Sequence, residues 1–220
     1  MNIIISKNNS WSRELYQLVS KDREDFIFLN ECNFKTIKSI NPQWIFFFHW
    51  SEIVDKEIYE NYKCVVIHTG NLPEGRGGSP IQNQIIDDII STKVNLIEMG
   101  PVLDGGKIYT SFPITLQGSL NDIWFTIAKI ANQLILDCVI NQLIPYEQIG
   151  EPKIYKRKKD NKIKFDINKD ILYVYNQIRM LDAENYPSAY LEIDGYILEF
   201  SRAKLENKTV IADVKITRKY

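Results

Sequence analysis

The order of short apolar runs and amphipathic segments predicts an α/β protein: a mostly parallel sheet flanked by helices, followed by a small C-terminal helix and β-meander. Three observations carry this. Residues 3–5, 44–48 and 64–67 are apolar throughout, as strands covered on both faces are. Segments with apolar residues at helical spacing separate them. Near the end of the chain, Asp194-Gly195 and Asn207-Lys208 stand as turn signals between strand-like runs.

Taken in order, residues 2–5 read as a buried strand. Residues 10–19 read as a helix with Ser10 as N-cap and Trp11, Leu15, Leu18 and Val19 on one face. A second strand at 25–29 leads to a short helix at 34–40, ended by Asn41-Pro42. Strand 44–48, helix 53–62 and strand 64–67 follow. A glycine-rich loop at 69–78 then precedes a helix at 80–90 that opens on Pro80. Strands at 94–99 and 107–114 complete the first part. The longest helix spans 119–143, with Ser119 and Asp122 as a capping box and Pro145 as its stop. Residues 153–169, peaking at Lys156-Arg157-Lys158-Lys159, read as a solvated linker. A helix at 170–183 and strands at 189–193, 196–200 and 209–217 form the tail. The expected division is a main domain at 1–150 and a small α+β subdomain at 151–220 packed on it.

Composition narrows the function classes. Of 220 residues, 25% are charged, and 27 Lys and Arg meet 28 Asp and Glu, for a net charge of -1. That excludes a disordered chain and leaves no global field to attract nucleic acid, so no nucleic-acid partner is expected. Cys32, Cys64 and Cys138 are odd in number and far apart, with neither zinc nor disulfide spacing, and no residue set is assigned to a metal. The apolar run at 1–5 is too short for an export signal. The apolar stretch at 123–144 is interrupted by Lys129, Asn132, Gln133, Asp137, Asn141 and Gln142, which reads as a buried helix and not a span. A cytoplasmic chain with no membrane partner is the expectation. The meander's edge strand is where a second copy would pair to form a homodimer.

Two strand ends attract chemistry. His68 follows the strand at 64–67 and precedes a loop rich in glycine and proline, from Thr69 to Pro80; a titratable imidazole there suits a shaped task. Glu98-Met99-Gly100-Pro101-Val102-Leu103-Asp104-Gly105-Gly106 is a second strand end with a carboxylate in its turn. In parallel sheets ligands sit beyond strand C-termini, so the loops after Phe48, Ile67 and Met99 are expected at one sheet edge. There Asp104 would orient the imidazole of His68 and stabilise its charged form.

The combination His68, Leu72-Pro73, Arg76-Gly77, Pro80-Ile81-Gln82 and then Leu103-Asp104-Gly105-Gly106 resembles the folate-dependent formyltransferase family. The resemblance covers residues 40–115 well, and it implies a Rossmann-like formyltransferase fold. It also implies transfer of a formyl group from 10-formyltetrahydrofolate to a primary amine, with His68 moving the proton and Asp104 positioning it across a cleft that admits the folate arm. The family's oxyanion-stabilising Asn, two residues before the His, is Val66 here. Protonated His68, a backbone N–H, Asn71 or Asn83 is the expected substitute, with Asn71 taken as the catalytic side chain. For the pterin the resemblance points to Phe48, His49 and Trp50, and to Met99, Gly100, Leu103 and Asp104.

For the amine, the short tail and balanced charge argue against the branch that acts on methionyl-tRNA. The glycine loop and the segment from Ile178 to Pro187 resemble the sugar N-formyltransferase branch. A UDP- or dTDP-linked 4-amino sugar, of the kind on the pseudaminic acid route to surface polysaccharides, is therefore the expected substrate. Arg76, Gly77, Trp11, Arg179 and Tyr186 are its candidate contacts. A methionyl-tRNA or glycinamide ribonucleotide formyltransferase is the alternative, and a non-catalytic folate or sugar-nucleotide binding module is the other.

Overall fold

The computed structural model describes residues 1–21, 23–157, 164 and 166–219. Its elements begin with β1 (Asn2–Ser6), α1 (Ser10–Ser20), β2 (Phe26–Leu29), α2 (Phe34–Ile40), β3 (Trp44–Phe48), α3 (Lys56–Asn61) and β4 (Cys64–Thr69). Then come β5 (Glu74–Gly77), α4 (Pro80–Ile86), β6 (Ser91–Glu98), β7 (Ile108–Thr115), α5 (Leu120–Asn141) and β8 (Lys153–Tyr155). The tail holds α6 (Ile171–Arg179), β9 (Ala189–Ile193), β10 (Tyr196–Glu206) and β11 (Thr209–Arg218). Two compact units emerge: one from Met1–Gly77, Ser91–Ile114 and Phe125–Tyr155, the other from Gly78–Ile90, Thr115–Trp124 and Lys156–Tyr220.

The first unit is built on a six-stranded sheet of order β2-β1-β3-β4-β6-β7. β1 lies parallel to β2 and β3, and β3 parallel to β4, the mixed α/β architecture expected. Ile3, Ile4, Ile5, Ile45, Phe46 and Phe48 have no exposed surface, because helices cover both faces of such a sheet. Alternation sorts them. Ile3, Ile5, Ile45 and Phe47 point to one face, where Ile37 of α2, Ile58 of α3 and Cys64 complete a cluster.

β6 is the exception, antiparallel to β4 with Val65 opposite Glu98 and Thr69 opposite Val94. Its C-terminus therefore lies beside the start of β4, and the Met99 N–H donates to the Cys64 carbonyl at 2.9 Å. This corrects the expectation that the Met99 loop shares a sheet edge with the loops after Phe48 and Ile67. The strand-end rule holds only for the parallel members.

Local signals explain where elements begin and stop. Asn9, not Ser10, caps α1: its Oδ1 accepts the Ser12 N–H at 2.9 Å. The capping box of α5 forms, with Asp122 accepting the Ser119 N–H at 2.9 Å and donating its own N–H to Ser119 Oγ at 3.2 Å. α4 stops earlier than periodicity suggests, since Asp88 adopts a left-handed φ of 54°. By length and composition α5 is apolar enough to cross a membrane. Yet Leu120, Ile123, Ile127, Ala128, Ala131, Ile135 and Cys138 are buried in the fold, as in a core helix.

The glycine loop is not irregular throughout. Its second half is β5, paired parallel with β8. Gly77 has φ of 100°, and an added Cβ would collide with the Tyr155 carbonyl oxygen, so only glycine lets the two strands meet. The linker expected at 153–169 thus begins as a strand. Of its basic peak, Lys158 and Lys159 lie outside the described residues.

In the second unit, α6 is capped by Asp170, which accepts the Tyr173 N–H at 2.9 Å. The sheet β11-β10-β9 is antiparallel. Asp194 and Gly195, and then Asn207 and Lys208, all have left-handed φ. That is the two-residue turn whose twist matches the flanking strands. Arg179 lies on the buried side of α6, 8% exposed. It donates to the carbonyls of Leu116 at 2.6 Å and Gly118 at 3.1 Å, and to Asn176 at 2.7 Å.

Candidate active site

β5 is the template on which the site is assembled. His68, at the end of β4, faces Asn95 across the β4–β6 ladder. Its Nε2 donates to the Gly75 carbonyl at 2.8 Å, since a carbonyl only accepts. Two residues along the same strand, the Gly77 N–H donates to Asp104 Oδ2 at 2.8 Å. The other carboxylate oxygen lies 3.5 Å from His68 Nδ1, both side chains being nearly buried (6% and 11% exposed). The pairing of His68 and Asp104 expected from sequence thus exists in space. The cleft between them does not: the two groups touch, so no folate arm passes between them.

With Nε2–H committed to Gly75, Nδ1 is the ring nitrogen left for proton movement, and it faces a carboxylate. A proton arriving there is shared by two acceptors. Asp104 sits at φ of 49°, a conformation Asp tolerates. Its loop is held by Gln148, whose Nε2 donates to the carbonyls of Asp104 at 3.0 Å and Gly106 at 2.7 Å. Gln148 Oε1 in turn accepts Arg76 Nε at 3.0 Å and Nη2 at 2.8 Å. Arg76, expected to meet substrate, holds Gln148 instead. Gly77 acts through its N–H on Asp104.

Val66 shares the face of His68, two residues back on β4, and is partly exposed. Asn71 is exposed, in the turn that enters β5. Asn83 is excluded as its substitute, because its amide donates to the carbonyls of Gly78, Ser79 and Lys156. Trp11 has no exposed surface and cannot reach a substrate. The guanidinium of Arg179 is consumed by main-chain carbonyls, and burial holds its pKa below the ordinary value. Tyr186 is half-buried, and burial pushes its phenol up.

The pterin candidates divide. Phe48 is fully buried, leaving only its backbone to offer. His49 meets the Asn9 amide at 3.1 Å and the edge of Trp11; burial, aided by Lys7, pushes it down to about 4, so it is neutral and structural. Trp50 and Met99 each pack against the same apolar cluster, Met99 beside the start of β4 and Trp50 past the end of β3. The Trp50 Nε1–H is buried without a hydrogen-bond partner among the described residues. Val102 and Leu103 are 61% and 68% exposed, and a Cβ at Gly100 would meet open space. The exposed apolar side chains and open backbone of the loop after β6 suit a flat heteroaromatic group.

A cavity of about 200 Å³ adjoins this network, lined by Leu72, Lys93, Asn95, Tyr146 and Gln148 among others. None of the expected cofactor residues lines it. Thiol chemistry is not on offer, since burial pushes Cys32 up to about 11 and Cys64 and Cys138 up to about 12. Sequence reasoning missed Gln148 and Asn95. Asn95 donates to the carbonyls of His68 at 3.2 Å and Gly70 at 2.8 Å. A polar residue inside the apolar run of β6 was its available signal; for Gln148, in a loop, there was none.

Residues 158–217 match the family model described as methionyl-tRNA formyltransferase, C-terminal domain. A solved structure of methionyl-tRNA formyltransferase from Clostridium thermocellum is 37% identical, with a TM-score of 0.93 and 99% of each chain covered. Among curated relatives, methionyl-tRNA formyltransferase of Caldicellulosiruptor saccharolyticus is 29% identical over 81% of this chain and 60% of its own. The chain thus spans about three-fifths of the length of the curated relatives it matches first. HypX from Aquifex aeolicus in complex with tetrahydrofolic acid shares the fold, at 16% identity and a TM-score of 0.75 over 93% of this chain and 38% of its own. These likenesses overturn the sugar-branch expectation, and with it the nucleotide-sugar substrate and the exclusion of nucleic acid. With His68, Asp104 and the fold in place, and 37% identity along almost the whole chain, this protein belongs to the formyltransferase family.

Proposed function

We propose that this chain moves a formyl group from 10-formyltetrahydrofolate to the amine of methionyl-tRNA. The observation that carries the reading is the buried contact of His68 Nδ1 with Asp104, in a chain 37% identical to a methionyl-tRNA formyltransferase. The folate supplies an activated formyl carbon. His68 Nδ1 takes the proton that the amine loses on attack and gives it to the folate nitrogen as the bond from that nitrogen to the formyl carbon breaks, and Asp104 stabilises the imidazolium between the two steps. Gly75 fixes the ring by holding Nε2–H. Val66 cannot donate to a developing oxyanion, so the protonated Nδ1–H and the amide of Asn71 are the candidate donors. Met99 to Leu103, on the loop that carries Asp104, would hold the pterin.

Charge distribution supports a nucleic-acid substrate once the chain is divided. Residues 153–220 hold fifteen Lys and Arg against ten Asp and Glu, whereas residues 1–152 hold twelve against eighteen. The whole-chain balance hides a basic tail, and phosphate neutralisation depends on local cations. The test is incubation of the purified protein with 10-formyltetrahydrofolate and methionyl-tRNA, followed by deacylation and mass analysis. N-formylmethionine is the expected product. Formylation of glycinamide ribonucleotide alone, or no formylated product, overturns the reading.

A further inference from the structure

We infer that Gln148 is a positioning residue for the His68–Asp104 pair, a role that rests on the formyl-transfer reading for its catalytic consequence. Its side-chain amide is saturated. Both hydrogens of Nε2 are donated, to the Asp104 and Gly106 carbonyls at 3.0 and 2.7 Å. Both lone pairs of Oε1 are taken, by Arg76 Nε and Nη2 at 3.0 and 2.8 Å. The opposite amide orientation would set oxygen against two carbonyls and NH₂ against a guanidinium, so only one orientation is allowed.

These bonds close a ring. From Gln148 it runs through the Arg76 side chain to the Arg76–Gly77 peptide, then through the Gly77 N–H to Asp104 Oδ2 at 2.8 Å. The Asp104 main chain returns it to Gln148. His68 is hooked to the same strand one residue before Arg76, at the Gly75 carbonyl. β5 therefore sets the imidazole, and Gln148 sets how far the carboxylate stands from Nδ1. Gln148 itself is placed by the two-way bridge between Ile108 and Tyr146, at 2.8 and 3.0 Å. A carboxylate held on a loop needs such support to keep its distance from a base.

The test compares wild type with Gln148→Ala and Gln148→Glu, the latter keeping the Arg76 clasp while losing both donors. The ¹⁵N signals of the His68 ring are read without substrate, with Asp104→Asn as the reference for an imidazole lacking its carboxylate. Gln148→Glu is expected to move the Nδ1 signal toward the Asp104→Asn position and to leave the Nε2–H signal of the Gly75 bond in place. Its kcat should fall about 10- to 100-fold with KM for both substrates unchanged. An unmoved Nδ1 signal, or a rise in KM at constant kcat, overturns the inference. Should Gln148→Ala fail to fold, Gln148→Glu decides alone. If the wild-type protein transfers no formyl group, the functional reading fails and the ring signals still decide the clamp.

Discussion

The neighbourhood of His68 and the β9–β11 meander solve opposite problems. Around His68, nearly buried polar groups are interlocked: Gly75, Gly77, Asp104, Gln148 and Arg76 hold one another through hydrogen bonds of 2.7 to 3.0 Å. In the meander, the backbone ladder carries the structure and the charges face water, as in Lys215–Glu199 and Lys219–Glu192, both at 3.1 Å. The first arrangement fixes atoms to within the tolerance of proton transfer. The second holds its charges at the surface, in pairs exposed to water. A substitution should therefore cost kcat in the first region and little stability in the second.

The sharpest break of this contrast is His68→Ala, which should lower kcat roughly 10²- to 10⁴-fold while circular dichroism stays near wild type. A comparable loss from Lys215→Ala would erase the contrast. Next in size is Arg179→Met, which strips three acceptors of a buried donor. It should cost about 2–3 kcal/mol in urea unfolding without changing the ring signals of His68.

His49 gives a pH-dependent effect. Its folded pKa is pushed down to about 4 from the ordinary 6.5. Below 6.5 the unfolded chain therefore binds the proton and the folded chain does not. The contribution to stability is full above pH 6.5 and is lost as pH falls toward 4. His49→Asn keeps a residue that tolerates φ of 48° and should flatten this part of the melting-temperature profile; an unchanged slope would contradict the assignment. The smallest effect belongs to Lys215→Ala, whose exposed pair with Glu199 should shift stability by no more than about 0.5 kcal/mol.

Much of the fold was legible because local chemistry and tertiary context agree. The apolar runs around Ile4, Phe46 and Val65 are central strands, and Asp194-Gly195 is the hairpin turn its dipeptide promised. His68 and Asp104 were legible because glycine-rich turns flank both. What escaped was non-local. Nothing in the pattern of residues 91–98 distinguishes an antiparallel β6, so the Met99 loop was placed at the wrong end of the sheet. β5 was read as loop because its partner, Lys153–Tyr155, lies far along the chain. Trp11 is buried on the apolar face that its spacing with Leu15 and Val19 marks, and Arg179 is buried by contacts no periodicity reports. Whole-chain charge conceals an acidic segment at 1–152 and a basic one at 153–220, and that cancellation hides the signal for the amine.

In the formyl-transfer reading, catalysis depends on the carboxylate beside the imidazole. Asp104→Asn keeps an oxygen for the Gly77 N–H while removing the charge that faces Nδ1. Single-turnover formylation of methionyl-tRNA by this variant at saturating 10-formyltetrahydrofolate is the most direct measurement. A rate at least about 100-fold below wild type, with the fold intact, is the predicted result. A rate within threefold of wild type would contradict it.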